Sequence, residues 1–373
     1  MRDRLDKLIS IAAAHGVRVV HGVMAVMLAC LLTSRSVGSE PQSARTSQSV
    51  RIGVLSLFRP NELRLKPSTG QRIDLSFDGQ RLSLDNDTSM VSMHAANGQI
   101  EVQFGQEKQL ITGTLLRTND AGGFWLEVPG KLRRQYDGAL EIRAHGNVLE
   151  AIVTMPIETA VASIVQAESP VGAGLEALKA QAVAARSFLA ARQSSHVEFD
   201  FCDTTHCQFL RAPPAAGSPA ANAARATQGL ILSWHDSAVD RDRPLAAMYA
   251  RSCGGRTRTL REIGIRSTGY PYYGVRCTFC TRHPEVWQRD AKELSQPESE
   301  AGRLAFNRIH GWSALPSLPG STDGRNSEIV SGHGIGHGLG LCQLGAASMA
   351  RHGASFAEIL AHYYPNTRLM AMQ

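Results

Sequence analysis

The sequence contains no run of basic residues longer than the pair Arg133–Arg134, and that absence governs how its charge is read. Lys and Arg outnumber Asp and Glu by 39 to 33, a formal net charge of +6. Two of those excess charges fall in residues 1–40, leaving about four for the remainder. A scattered excess of this size suits a surface near an anionic polymer and excludes a nucleic-acid binder, which needs clustered cations. Also missing is an apolar run of the roughly 20 residues a membrane-spanning helix requires. The N-terminal candidate, from about Val19 to Leu32, is shorter, follows Arg2, Arg4, Lys7 and Arg18, and precedes small and polar residues. Positive, then apolar, then small is the order of an export signal, expected over residues 1–38 with a linker at 39–48. Cleavage is the expectation, and the chain is membrane-bound only if this segment stays as an anchor or Cys30 is lipidated. Finally, the chain lacks the composition of disorder: with 43% hydrophobic and 19% charged residues over 373 positions it can build two domains and a sizeable core.

What is present divides near position 130. From Ser49 onward, short alternating runs such as RIDLSF, QIEVQF and ALEIRA are separated by DGQ, AANGQ and TNDAGG turn signals. They predict an antiparallel β-rich region over 49–130 with one solvated face and no ligand signature. Past VLEAIVTMP the composition becomes alanine-rich and helical. The chain is therefore expected to be α+β, with a mixed α/β domain over 131–373 carrying a glycine-rich strand segment near its C-terminus.

At the centre of that second region lie two predicted helices joined by a Pro/Gly break at 169–174. Val161, Ile164, Val165 and Glu168 fall at i, i+3, i+4 and i+7, so a carboxyl occupies the last position of a buried stripe. Desolvation of such a group raises its pKa toward what a general acid needs, while Lys179 or Arg186 nearby would lower it again. The bland alternative is an ion pair with Arg186 or a cap on the following helix. In the second helix Leu175, Leu178, Ala182, Ala185 and Leu189 form one seam.

In SGHGIGHGLGLCQLG the glycines occupy every second position from 332 to 340. An extended chain would leave one face bare and put His333 and His337 on the other, about 13 Å apart by the strand rise, too far to share a metal. Cys342 could be a nucleophile if a base lay within reach, or an inert buried thiol. Six cysteines remain once Cys30 is set aside. The pairs Cys202/Cys207 and Cys277/Cys280, with His206 as a competing ligand, are expected to make one tetrahedral structural zinc site, disulfides being the alternative in an exported protein. No organic cofactor is expected. Tyr270, Tyr272, Tyr273 and Trp287 could stack on sugar rings or form a satellite core.

The succession RRQYDGALEI, IVQAESP, LEALKAQAVAARSF, CDTTHCQ, SCGGRT and GHGIGHGLGLCQLGAASMARHG, from about residue 130 to 367, resembles the stage II sporulation protein D and amidase-enhancer family. The resemblance implies an exported enzyme of the periplasm or cell envelope, a peptidoglycan lytic transglycosylase acting on glycan strands stripped of stem peptides and leaving 1,6-anhydro-MurNAc ends. Glu168 aligns with the family's catalytic glutamate. Lys179, Arg186, Gln208, His333, His337 and Gln343 fall at positions that would line the glycan cleft, and some members bind zinc near the CDTTHC position. The alternative implied by the same resemblance is a non-catalytic wall-binding enhancer of a cell-wall amidase. Three features depart from the family pattern: Cys342 where a small hydroxyl residue is usual, Cys253 in place of serine, and the additional CTFC pair.

Overall fold

The computed structural model describes residues 48–372 except 86–88, 119–121, 192–195, 267–269, 291–296 and 321–328. The expected export signal, Cys30 and nearly all of the linker lie outside the described residues.

Twelve strands come first: β1 (Ser49–Val54), β2 (Glu62–Pro67), β3 (Ile73–Phe77), β4 (Gln80–Leu84), β5 (Val91–Ala96), β6 (Gln99–Phe104), β7 (Glu107–Ile111), β8 (Leu115–Arg117), β9 (Gly123–Val128), β10 (Leu132–Asp137), β11 (Ala139–His145) and β12 (Val148–Pro156). Their alternation is that of the sequence: in β2 and β3 every second residue is buried. Two of the hairpins turn where the composition predicts. Asp78–Gly79 and Asn97–Gly98 all have positive φ, between 44° and 84°, the combination that twists a two-residue turn to match its strands. Both Phe77↔Gln80 and Ala96↔Gln99 close directly across these turns.

Helices α1 (Ile157–Glu168) and α2 (Leu175–Ala191) follow, then β13 (Phe201–Cys202), α3 (Pro219–Ala226), β14 (Leu230–Asp236), β15 (Arg241–Pro244), β16 (Tyr249–Ala250), α4 (Thr278–Arg282), β17 (Val286–Asp290), α5 (Glu300–His310), β18 (Ile329–His333), β19 (Leu341–Cys342), α6 (Gln343–Arg351), α7 (Phe356–Tyr363) and β20 (Arg368–Ala371). The fold is α+β. A seven-stranded sheet runs β13-β1-β12-β11-β8-β3-β4 and a six-stranded one β10-β9-β2-β5-β6-β7. The first strand thus lies between β12, which leads into α1, and β13, which carries Cys202.

Helix α1 buries Ile157, Ala160, Val161, Ile164 and Val165, the stripe expected from the periodicity. Ser169 and Pro170 end it, since proline cannot continue the backbone hydrogen bonding. Helix α2 separates two cores. Leu178, Ala182, Ala185 and Leu189 pack with α1, α3 and the large sheet. Ala177, Ala180, Val183 and Ala184, on its other side, pack with Leu341, Ala346, Ile359, Leu360, Tyr363 and Tyr364. Alanine serves both faces because small side chains let neighbouring elements come close. Leu175, expected on the seam, is exposed.

The glycine-rich segment departs from the extended chain that its alternation predicts. Beyond His333 the strand ends, and Gly334, Gly336, Gly338 and Gly340 all take left-handed φ between 63° and 99°. A Cβ on Gly340 would sit 2.1 Å from the Met248 carbonyl oxygen, and one on Gly334 2.5 Å from that of Ser252. The glycines serve a tight backbone-on-backbone crossing, where only hydrogen fits. Among the aromatics, Tyr270, Tyr272 and Trp287 are interior: the two tyrosine hydroxyls accept from Ala246 and Met248 amides, and the indole donates to Ser317. Only Tyr273 of these four is exposed.

Candidate active site and cysteine clusters

Glu168 is the last residue of α1, where the helix ends against the loop after β13. Its Oε1 accepts the Phe209 amide at 2.5 Å. Burial pushes the carboxyl up to about 7, with the Phe209 amide and the Tyr249 hydroxyl pulling partly the other way. The C-terminal end of a helix also disfavours an anion. None of the groups acting on it is a charge, so the expected pull from Lys179 or Arg186 does not occur. Lys179 donates to Glu176 at 2.6 Å, and Glu176 in turn accepts the Phe356 amide. Arg186 is fully buried, paired with Glu158 at 2.7 Å and bonded to the carbonyls of Leu230 and Ala224. Both cations hold elements together, and Arg186 has no exposed face for glycan.

Around Glu168 the fold collects amides and a phenol from distant segments. Gln343 donates through Nε2 to the Glu168 backbone carbonyl at 2.9 Å and to Gln181 Oε1 at 3.2 Å, while the Ser169 hydroxyl donates to the same Gln181 oxygen. Tyr249 lies near enough to Glu168 and Gln181 to influence them, and its own hydroxyl is held strongly protonated by burial and the neighbouring carboxyl. It nevertheless makes no hydrogen bond of regular geometry. Tyr249 Oη, Gln181 Nε2 and Gln208 Oε1 are all buried without a partner among the described residues. Buried polar atoms are rarely left so, and orphans gathered near a protonatable acid fit a hydroxyl-bearing ligand or ordered water. Gln208 directly precedes Phe209, whose amide binds Glu168.

The two histidines of the glycine segment separate. His333 is exposed at the end of β18. His337 is half-buried; its Nδ1 accepts the Leu339 amide at 2.9 Å, and burial lowers its pKa, keeping the ring neutral. Among the described residues they share no cluster of potential ligands.

The cysteines do not make the single four-cysteine site expected from the two pairs. They divide between two clusters, each with its donor atoms within 4.8 Å of one another. One contains Cys202 and Cys207 with His206 and also His196: His196 Nε2 is 3.3 Å from the Cys207 sulfur, and His206 Nδ1 is 3.7 Å and 3.5 Å from Cys202 and Cys207. Two sulfurs and two imidazoles are a donor set that fits tetrahedral zinc. The other unites Cys277 and Cys280 with Cys253 and Cys342. Each sequence-local pair stays together, but the two do not join in one site because β1 draws Cys202 to the large sheet while α4 packs on α6.

Several of these residues escaped sequence reading. Tyr249 sits in an unremarkable apolar run, and the Phe209 amide has no side-chain signature at all. Gln181 did leave a signal: it is the polar residue on the buried face of an otherwise alanine-rich helix stretch.

Residues 145–234 match the family model described as "Stage II sporulation protein". An uncharacterized protein of Brachyspira hyodysenteriae is 24% identical, covering 62% of this chain and 71% of its own length. Stage II sporulation protein D of Bacillus amyloliquefaciens is 25% identical over 57% of this chain and 74% of its own. The Amidase enhancer of Bacillus subtilis (strain 168) is 24% identical over 55% of this chain but 39% of its own length. Glu168, Gln181, Gln208 and the Cys202 cluster all fall inside the matched segment, so the site lies in the part of the chain that is similar to stage II sporulation protein D and the amidase enhancer.

Proposed function

We propose that the chain is an exported peptidoglycan lytic transglycosylase that cuts the MurNAc–GlcNAc bond of glycan strands stripped of stem peptides. The observation that carries this reading is the carboxyl of Glu168, raised to about 7 by burial rather than by a neighbouring charge. A group poised there can give a proton and take one back in a single turnover. Protonated Glu168 donates to the glycosidic oxygen, and the C–O bond to the muramyl anomeric carbon breaks. The resulting carboxylate then accepts the proton of the muramyl 6-hydroxyl, whose oxygen closes on the anomeric carbon to leave a 1,6-anhydro end. The acid is regenerated and no water is consumed, so the second carboxylate of a hydrolytic glycosidase has no task. The buried, unpartnered polar atoms of Tyr249, Gln181 and Gln208 would hold ordered water around the acid. Zinc held by His196, Cys202, His206 and Cys207 would brace the loop that delivers the Phe209 amide.

Purified protein and denuded glycan, with no other component, provide the test. Wild-type protein should release anhydro-muramyl products, and Glu168→Gln should lower the rate by about 10²–10⁴, the usual range for one general acid–base group. Equal rates in the two proteins would refute the assignment. Because the cycle starts from the protonated acid, the rate should fall as pH rises through about 7. A second reading rests on the relative named Amidase enhancer: glycan binding without products, joined to stimulation of an added amidase, would favour it over the enzyme.

A further inference from the structure

We infer that Cys253, Cys277, Cys280 and Cys342 form a second, structural zinc site, separate from the cluster at Cys202. All four side chains are buried, with exposures of 7%, 1%, 0% and 1%. They come from three places: the loop after β16, the start of α4, and the junction of β19 with α6. Their sulfurs converge within 4.8 Å of one another, and those of Cys280 and Cys342 are 3.5 Å apart. A disulfide needs a separation near 2.0 Å within each pair. Four thiolates around zinc at about 2.3 Å stand roughly 3.8 Å apart, which is the spacing approached here.

The surroundings point the same way. Thiolate sulfur bound to a metal is stabilised by hydrogen bonds from its outer shell. Cys342 accepts the Gly345 amide at 3.4 Å, from the first turn of α6, whose N-terminal end favours negative charge. The hydroxyls of Tyr363 and Ser252 lie 3.4 Å from Cys277 and 3.5 Å from Cys280. Gly345 leaves room for this: a Cβ there would fall 2.6 Å from the Cys277 sulfur. A surface cleft of about 520 Å³, lined among others by Cys277, Gly345 and Tyr363, opens beside the cluster. The three departures from the family pattern, Cys253, Cys342 and the CTFC pair, thereby acquire one common cause.

The site also has a consequence, which rests on the proposed function. Tyr249↔Leu341 and Ala250↔Cys342 are paired in register, and Gln343 follows Cys342 directly. Zinc at this point staples together the two strands that carry Tyr249 and Gln343 to Glu168, making the four cysteines positioning residues.

The test counts metal in the full chain purified without a histidine tag. Wild-type protein should hold two equivalents of zinc by elemental analysis and native mass spectrometry. Cys207→Ser should hold one, and that one should be lost in the Cys207→Ser/Cys280→Ser double variant. Cobalt loaded into Cys207→Ser should show the strong sulfur-to-metal charge-transfer absorption of four thiolates. Should the double variant fail to fold, the wild-type count and the cobalt spectrum still decide. Less than a tenth of an equivalent in folded Cys207→Ser overturns the inference, as does alkylation showing these four cysteines oxidised. Glu168→Gln should keep both equivalents whatever its activity, so failure of the glycan assay and failure of this site are read separately.

Discussion

At the scale of the single residue, the buried carboxyl of Glu168 makes stability depend on pH. Its carboxyl keeps a proton up to about 7 in the folded chain, whereas the ordinary value is 4.5. Between those two pH values the folded state binds more protons than the unfolded one, so stability falls as pH rises and levels off above about 7. Gln cannot titrate. Glu168→Gln should therefore match the wild type near pH 4 and exceed it at pH 8 by on the order of 3 kcal/mol, since each pK unit is worth about 1.4 kcal/mol. Thermal melts of both proteins at pH 4 and 8 give the comparison; a gap that does not grow with pH would show that the carboxyl is not desolvated. The acid was legible in the sequence because helical period alone placed it on an apolar stripe. Its companions Tyr249 and Phe209 were not, because tertiary contacts across 81 and 41 positions bring them to it and no local pattern encodes such contacts.

At the scale of the element, the Arg186–Glu158 pair shows how a sequence signal can be real and its partner misassigned. A cation on the helix seam suggested Glu168 as its counter-charge; the fold supplies Glu158, at the opposite end of α1, with two carbonyls completing the guanidinium. Removing one partner leaves a buried charge unpaired. Glu158→Ala should cost about 3–5 kcal/mol in a urea titration, and Glu158→Leu/Arg186→Met should recover much of it. A loss under 1 kcal/mol for Glu158→Ala would contradict the buried pair. The glycine segment carries a similar lesson. Alternation announced close backbone approach, but left-handed turns rather than a strand achieve it, and composition does not distinguish the two. Gly340→Ala, with its Cβ against the Met248 carbonyl, should destabilise far more than Gly353→Ala. At Gly353 the same left-handed backbone faces open space, and the cost is only the roughly 1–2 kcal/mol of a left-handed non-glycine residue. Equal urea midpoints for the two variants would remove the crossing at Met248 as the reason for glycine.

At the scale of the whole molecule, the alternating runs announced strands but not their sheets, because period two fixes which face of a strand is buried and leaves its neighbours open. Strands β1 and β12 lie about a hundred residues apart in sequence yet pair over six positions, and β13 joins β1 on its other edge through Ile52↔Phe201 and Gly53↔Cys202. The amide of Leu55 further binds Asp203, which also accepts Arg134 and Tyr136 and is raised to about 6 by burial. The N-terminal strand thus supports both the strand that launches α1 and the loop that presents His206, Cys207 and Phe209. A fragment beginning at Leu132 keeps the whole segment matched to the family but loses Val50, Ile52, Val54 and Leu55 from the large core. At about 1.5–3 kcal/mol for each buried aliphatic side chain, that loss is comparable to the entire stability of an ordinary domain. The fragment is expected to lack a cooperative thermal transition and to retain no zinc at Cys202 and Cys207. A sharp melt with that metal in place would mean that the helical region folds without its N-terminal strand, and the dependence of Glu168 on β1 would have to be abandoned.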